Sequence, residues 1–157
     1  MIVDLDPQSN TTQVVLNERQ VERIYVENLN SLDRIKTIKD IYNPMRDSNE
    51  AVIGNVEEAI FPSKKNNFKC DIIPSHLSLS EFEDTLSDAW SDLRANKLGG
   101  FRRTNWFIQL VNQLNEKYDA FIVGSDQVWN IKCIDADEAY FLTFVKDKPV
   151  FAYAVSF

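Results

Sequence analysis

The sequence predicts an α/β protein, an incomplete Rossmann-like parallel sheet with helices on its faces, and three observations lead there. Four short apolar runs, Ile2 to Leu5, Phe68 to Pro74, Asp119 to Val123 and Val150 to Val155, have the length and make-up of buried parallel strands. Between them lie stretches whose apolar residues recur at helical spacing, the alternation that a parallel sheet with covering helices requires. The runs also lead out into polar loops, and in open α/β sheets the loops at the carboxyl ends of strands are where ligands bind.

A chain of 157 residues with 44% hydrophobic and 26% charged residues can bury the core of one globular domain. No apolar run approaches the ~20 residues of a membrane span, and no basic, then apolar, leader opens the chain, so a cytoplasmic location without a membrane partner is expected. The net charge of -7, with no basic run beyond Lys64/Lys65 and Arg102/Arg103, disfavours nucleic acid as a partner. Cys70, Cys133 and a single histidine, with no paired-cysteine spacing, argue against zinc or a disulfide framework, which leaves carboxylates for any metal.

Taken in order, the chain opens on a strand at its first residues, which implies that earlier elements of the domain are missing. Asp4 and Asp6 stand two apart at that strand's end, so an extended backbone points both the same way, where a hydrated Mg²⁺ could be held. Two solvated acids at a strand end are the alternative. From Ser31, a helix is expected along Leu32, Ile35, Ile38 and Ile41, with Ser31 as its cap and Pro44 as its stop. A second is expected from Glu50 to Ile60, with Val52, Val56, Ala59 and Ile60 on one face and Pro62 beyond, followed by a polar turn over Lys64 to Asn67.

The run FKCDIIP, Phe68 to Pro74, leads into Ser75 and His76. As the only histidine, His76 invites a catalytic role, but a purely structural one is the stronger reading. Ser80 and Glu83 then read as a capping box for a helix carrying Phe82, Leu86, Ala89, Trp90 and Leu93, ended by Gly99 and Gly100. A further helix, Arg103 to Glu116, turns Phe107, Leu110, Val111 and Leu114 inward. Trp90 and Trp106 are read as packing residues.

Two resemblances then bear on function. The string IVDLDPQSNTT, Ile2 to Thr12, resembles the segment after the first helix of ParA-type partition ATPases, the deviant Walker branch that includes MinD, and DIIPSHLSLSEFEDTL resembles a later part of that family. The resemblance covers residues 1–117 and implies that Asp4 helps to order the Mg²⁺ shell and Asp6 orients the water that attacks the γ-phosphate of ATP. That family's phosphate loop, KGGxGKT, has no counterpart here. Of the glycines at 54, 99, 100 and 124, none is followed by Lys and then Ser or Thr. No nucleotide phosphate-binding residue is therefore assigned, and neither ATP nor Mg²⁺ is expected as a cofactor of this chain alone.

At Tyr118 the likeness changes. ParA-type proteins continue YDxxxxDxxP, but Gly124 stands where the Asp should be. YDAFIVGSDQVWN, Tyr118 to Asn130, with Ala139 to Leu142 and Phe151 to Phe157, is instead similar to the polysaccharide pyruvyl transferases. That family implies a fold similar to the GT-B glycosyltransferases and transfer of a pyruvyl unit from phosphoenolpyruvate to a sugar, with Gly124, Ser125, Asp126 and Gln127 in a substrate-binding loop. The expectation is thus a hybrid chain, 1–117 and 118–157, joined near Lys117 to Asp119 and inactive alone. A pyruvyl transferase fragment is one alternative. The other is a non-catalytic ATPase relative that binds a ParA-type partner or a second copy of itself.

Overall fold

A computed structural model describes residues 1–26, 33–47, 53–97, 100, 105–123, 145 and 147–152, and the chain divides into two compact units, Met1–Trp106 and Phe107–Phe157. In the first unit the order is β1 (Ile2–Val3), α1 (Asn10–Val15), α2 (Glu18–Tyr25), α3 (Ile38–Asp47), α4 (Val56–Ala59), a 3₁₀ turn at Ser63–Lys65, β2 (Ile72–Ile73) and α5 (Leu79–Arg94). The helix α6 (Trp106–Asn115) opens at the end of that unit, and the second unit continues with β3 (Phe121–Val123) and β4 (Val150–Ala152). The α/β class holds, with both strand pairs parallel and an isolated antiparallel bridge between Phe61 and Ile72. Among the described residues the strands pair two by two. β1 pairs with β2, Ile2 opposite Ile72 and Val3 opposite Ile73, while β3 pairs with β4, Phe121 opposite Val150 and Val123 opposite Ala152.

β1, β2 and β3 are shorter than their apolar runs, while the run from Val150 leaves the described residues after Ala152. Lys69 takes a left-handed conformation with φ 52°, which no ladder tolerates, so the second strand cannot start at Phe68. Phe68 is instead 55% exposed. At the far end Pro74 has no N–H to extend the pairing.

The core of the first unit is built on the two strands and the helices that cover them. Ile72 packs with Val15, Leu16, Ile24, Ile35 and Phe61, with Ile2 and Val21 alongside. Ile38, Ile41, Tyr42 and Met45 of α3 are fully buried, as are Phe82 and Ala89 of α5. Tyr42 stacks on Phe82 with ring centroids 4.2 Å apart, and Trp106 meets Phe82 edge-on at 5.2 Å. Trp106 is thus a packing residue, as expected, whereas Trp90 is only half-buried.

Helix boundaries depart from the periodic reading for identifiable reasons. Ser31 and Leu32 lie outside the described residues, and the helix expected from Ser31 begins at Ile38, where Thr37 and Asp40 cap it reciprocally. The Thr37 hydroxyl accepts the Lys39 N–H at 3.2 Å, and the Asp40 carboxylate accepts the Thr37 N–H at 2.9 Å. Pro44 lies inside α3 and does not stop it. The Asp40 carbonyl, which loses its donor at Pro44, is approached closely by Gly54, whose own N–H bonds to the Ile41 carbonyl at 2.7 Å. The helix placed over Glu50 to Ile60 is one turn, Val56–Ala59, capped by Asn55, and residues 50–52 lie outside the described residues.

The α5 helix starts at Leu79, and the Ser80 hydroxyl donates to the Leu77 carbonyl; of the side chains of Glu83 and Leu86 nothing is described. It ends at Arg94, ahead of the Gly99 and Gly100 expected to end it, with Asn96 at φ 56° supplying a left-handed turn; Gly99 lies outside the described residues. In α6, Leu110, Val111 and Leu114 are buried as expected and Phe107 is half-buried. In the second unit Lys148 donates to the carbonyls of Asn115 and Tyr118, which ties the approach to β4 to the end of α6.

Candidate functional site

Parallel pairing sets the carboxyl ends of β1 and β2 side by side, and the ladder runs on through the Asp4 N–H, which bonds to the Ile73 carbonyl at 3.1 Å. The two chains then leave the sheet together. Asp4 is 4% exposed, and its Oδ2 accepts both the Thr12 N–H at 2.8 Å and the Thr12 hydroxyl at 2.6 Å. Its Oδ1 accepts the Asp6 N–H at 3.2 Å. A buried carboxylate needs such donors in place of water, and α1 supplies them because Ser9, in a left-handed conformation at φ 58°, turns the chain back onto the strand end.

Asp6 is half-buried and holds the next turn: Oδ1 accepts the Gln8 N–H at 2.9 Å and Oδ2 the Asn10 side-chain amide at 3.0 Å. The turn follows both acids, at Pro7 and Gln8, and the stretch from Asp4 to Asp6 is neither turn nor bend. Each carboxylate serves its own partners.

The loop after β2 meets this segment from the other side. The Ser75 N–H donates to Thr12 Oγ1 at 2.9 Å and the Ser75 hydroxyl to the Asp6 carbonyl at 2.5 Å. Thr12 and Ser75, both buried, were not recognised as site residues in the sequence. A small hydroxyl residue carries no signal by itself, and these two are 63 positions apart.

His76 lies one residue on. Its Nδ1 accepts the Ser78 N–H at 3.0 Å and contacts the Ser78 hydroxyl at 2.8 Å, and its ring packs against Tyr25 with centroids 5.1 Å apart. Burial pushes its pKa below the ordinary 6.5, with the nearby Lys39 charge acting the same way. Tyr42 donates its hydroxyl to the Ser78 carbonyl at 3.0 Å, and burial raises its pKa above the ordinary 10.0. These partners fit the structural reading of His76.

Among the described residues no group of three or more His, Cys, Asp or Glu could hold a metal ion. Asp4 Oδ2 already takes two donors, which leaves Asp4 Oδ1 and the two Asp6 oxygens one further bond each. Such a donor set fits a cation reached through its own waters and not one caged directly. The grooves on α1 and α2, lined by Gln13, Leu16, Asn17, Glu18, Val21 and Glu22, include neither acid. Gly124, Ser125, Asp126 and Gln127 lie outside the described residues, as does Cys133, while Cys70 is a free thiol. Among the described residues no helix is long and apolar enough to cross a membrane.

Comparison with known proteins adds a family to this geometry. A family model described as an AAA domain, of the ParA/MinD-like P-loop NTPase type, matches residues 1–135. The match runs across the junction expected at Lys117 to Asp119, and no match to a pyruvyl transferase accompanies it. The crystal structure of protein DIP2308 from Corynebacterium diphtheriae is similar at 30% identity and a TM-score of 0.63, over 80% of this chain and 48% of that one. The chain thus spans about half the length of that protein. No curated protein matches the sequence.

Proposed function

This chain belongs to the AAA-domain family of ParA/MinD-like P-loop NTPases, and on that premise we propose that Asp4 to Thr12 is the water-orienting segment of an ATP-hydrolysing site whose phosphate loop the 157 residues do not contain. The observation that carries this reading is the division of labour between the two acids. Asp4 is buried and committed to Thr12, a part suited to holding the segment and to accepting from a water of a hydrated Mg²⁺. Asp6 is half-buried and keeps a free acceptor position on each oxygen, a part suited to orienting a water. Mg²⁺ would supply charge neutralisation at the phosphates. Partition of DNA as the purpose of that hydrolysis, and pairing with a second copy or a ParA-type partner, rest on the family resemblance.

The test joins the KGGxGKT strand, loop and helix of a ParA-type protein ahead of Met1 and measures ATP hydrolysis with Mg²⁺. The joined protein is expected to turn over, and Asp6→Asn to lower kcat at least ~100-fold while nucleotide binding changes little. Turnover insensitive to Asp6→Asn would sink the assignment.

A second reading concerns residues 118–157, whose motifs YDAFIVGSDQVWN and FAYAVSF support descent from a polysaccharide pyruvyl transferase, with Gly124 to Gln127 in a sugar or phosphoenolpyruvate loop. A sequencing read across the codons for Gly100 to Asn130 in unamplified source DNA tests it. Two separate genes would end the hybrid as a protein, and one continuous frame would establish it.

A further inference from the structure

We propose that Ser75 is a positioning residue for the Asp4–Asp6 segment, its hydroxyl fixing where Asp6 stands at the end of β1. The inference rests on the reading of Asp6 as the water-orienting carboxylate and deepens it. A backbone carbonyl can only accept, so the single hydroxyl proton of Ser75 goes to Asp6 O, at 2.5 Å. Thr12 Oγ1 in turn accepts the Ser75 N–H and gives its own proton to Asp4 Oδ2, so Ser75, Thr12 and Asp4 form one directed chain of hydrogen bonds. All three are buried, at 0%, 1% and 4% exposure, so the bonds among Ser75, Thr12 and Asp4 are closed to water.

The tie matters because of where the sheet stops. The last β1–β2 ladder bond is that of the Asp4 N–H, and beyond it Asp6 has no strand partner. Ser75 takes over at that point, with the Ser9 N–H as the second donor to the Asp6 carbonyl, at 2.8 Å. Ser75 is itself held from behind. Pro74 O accepts the first N–H of α3, from Ile38 at 2.9 Å, and Ser78 is engaged by His76 and Tyr42. The loop after β2 is therefore the fixed side, and the loop after β1 the side it positions.

The test is NMR on the 157-residue chain with Ser75→Ala and Ser75→Thr. Ser75→Ala is expected to speed exchange of the Ser9 amide about tenfold and to move the Asp6 carbonyl carbon resonance, while the Asp4 amide in the ladder stays within about twofold. Ser75→Thr, which keeps the hydroxyl, is expected to restore both. The idea is overturned if Ser75→Ala leaves Ser9 and Asp6 as they were, if Ser9 and Asp4 amides accelerate together, or if the threonine behaves like the alanine. Should Ser75→Ala not fold, the unsubstituted chain decides. A slowly exchanging Ser75 hydroxyl proton close to Asp6 supports the tie, and its absence refutes it. The two readings fail separately: a loosened Asp6 loop in Ser75→Ala, with ATP turnover of the joined protein indifferent to Asp6→Asn, removes the water-orienting role and leaves the positioning.

Discussion

Asp4 shows how one buried carboxylate organises its surroundings. With three donors on two oxygens it replaces hydration by the N–H and O–H of Thr12 and the N–H of Asp6. Asp4→Ala would strand the Thr12 donors where water does not reach, at a cost of about 1–3 kcal/mol in unfolding free energy by urea denaturation. A midpoint unchanged from that of the native chain would show that the carboxylate is not what holds α1 to the strand end.

His76 gives a pH dependence whose sign follows from its surroundings. The groups around it are Arg34, Lys39, Asp40, Tyr42 and Glu81, with the Tyr25 ring against its own, and the Ser78 N–H donates to Nδ1, which requires an unprotonated nitrogen. Burial lowers the folded pKa, so as pH falls the unfolded chain takes the proton first. The contribution is complete above the ordinary 6.5 and is lost as pH falls from there through the lowered folded value. Denaturation midpoints from pH 8 to pH 5 should fall more steeply for the native chain than for His76→Gln. Parallel curves would rule this out.

Among elements, α3 carries the clearest lesson about proline. Pro44 reads as a stop, yet the helix passes through it, and Gly54 lies close to the carbonyl that loses its donor while giving its own N–H to Ile41 O. A Cβ at position 54 would stand 2.4 Å from the Asp40 carbonyl oxygen and 3.3 Å from Ile41 Cα. Gly54→Ala should therefore destabilise by about 1–3 kcal/mol, measured by thermal or urea unfolding. A neutral result would mean that the segment before α4 yields without cost. Thr37 and Asp40, three apart around Ile38, have the spacing of a reciprocal cap. Leu32 and Ile35 extend the same apolar stripe backward in the sequence, and periodicity alone does not mark where a helix starts.

For the molecule as a whole, membership in the ParA/MinD-like family and the lack of a phosphate loop in these 157 residues meet in one expectation. The chain by itself should show no ATP turnover above a blank with Mg²⁺, and turnover would mean that residues outside the family's phosphate loop hold the triphosphate. The α/β class, the approximate places of the strands and the packing role of Trp106 were readable from the sequence, because each rests on local pattern, either an apolar run or helical spacing. The tertiary structure alone decided which strands pair, that Asp4 turns inward while Asp6 holds the loop, and that Thr12 and Ser75 bind the two strand ends together. Those outcomes depend on hydrogen bonds between residues far apart in the chain. No local spacing encodes them, since a donor finds its acceptor only after the sheet has brought β1 and β2 side by side.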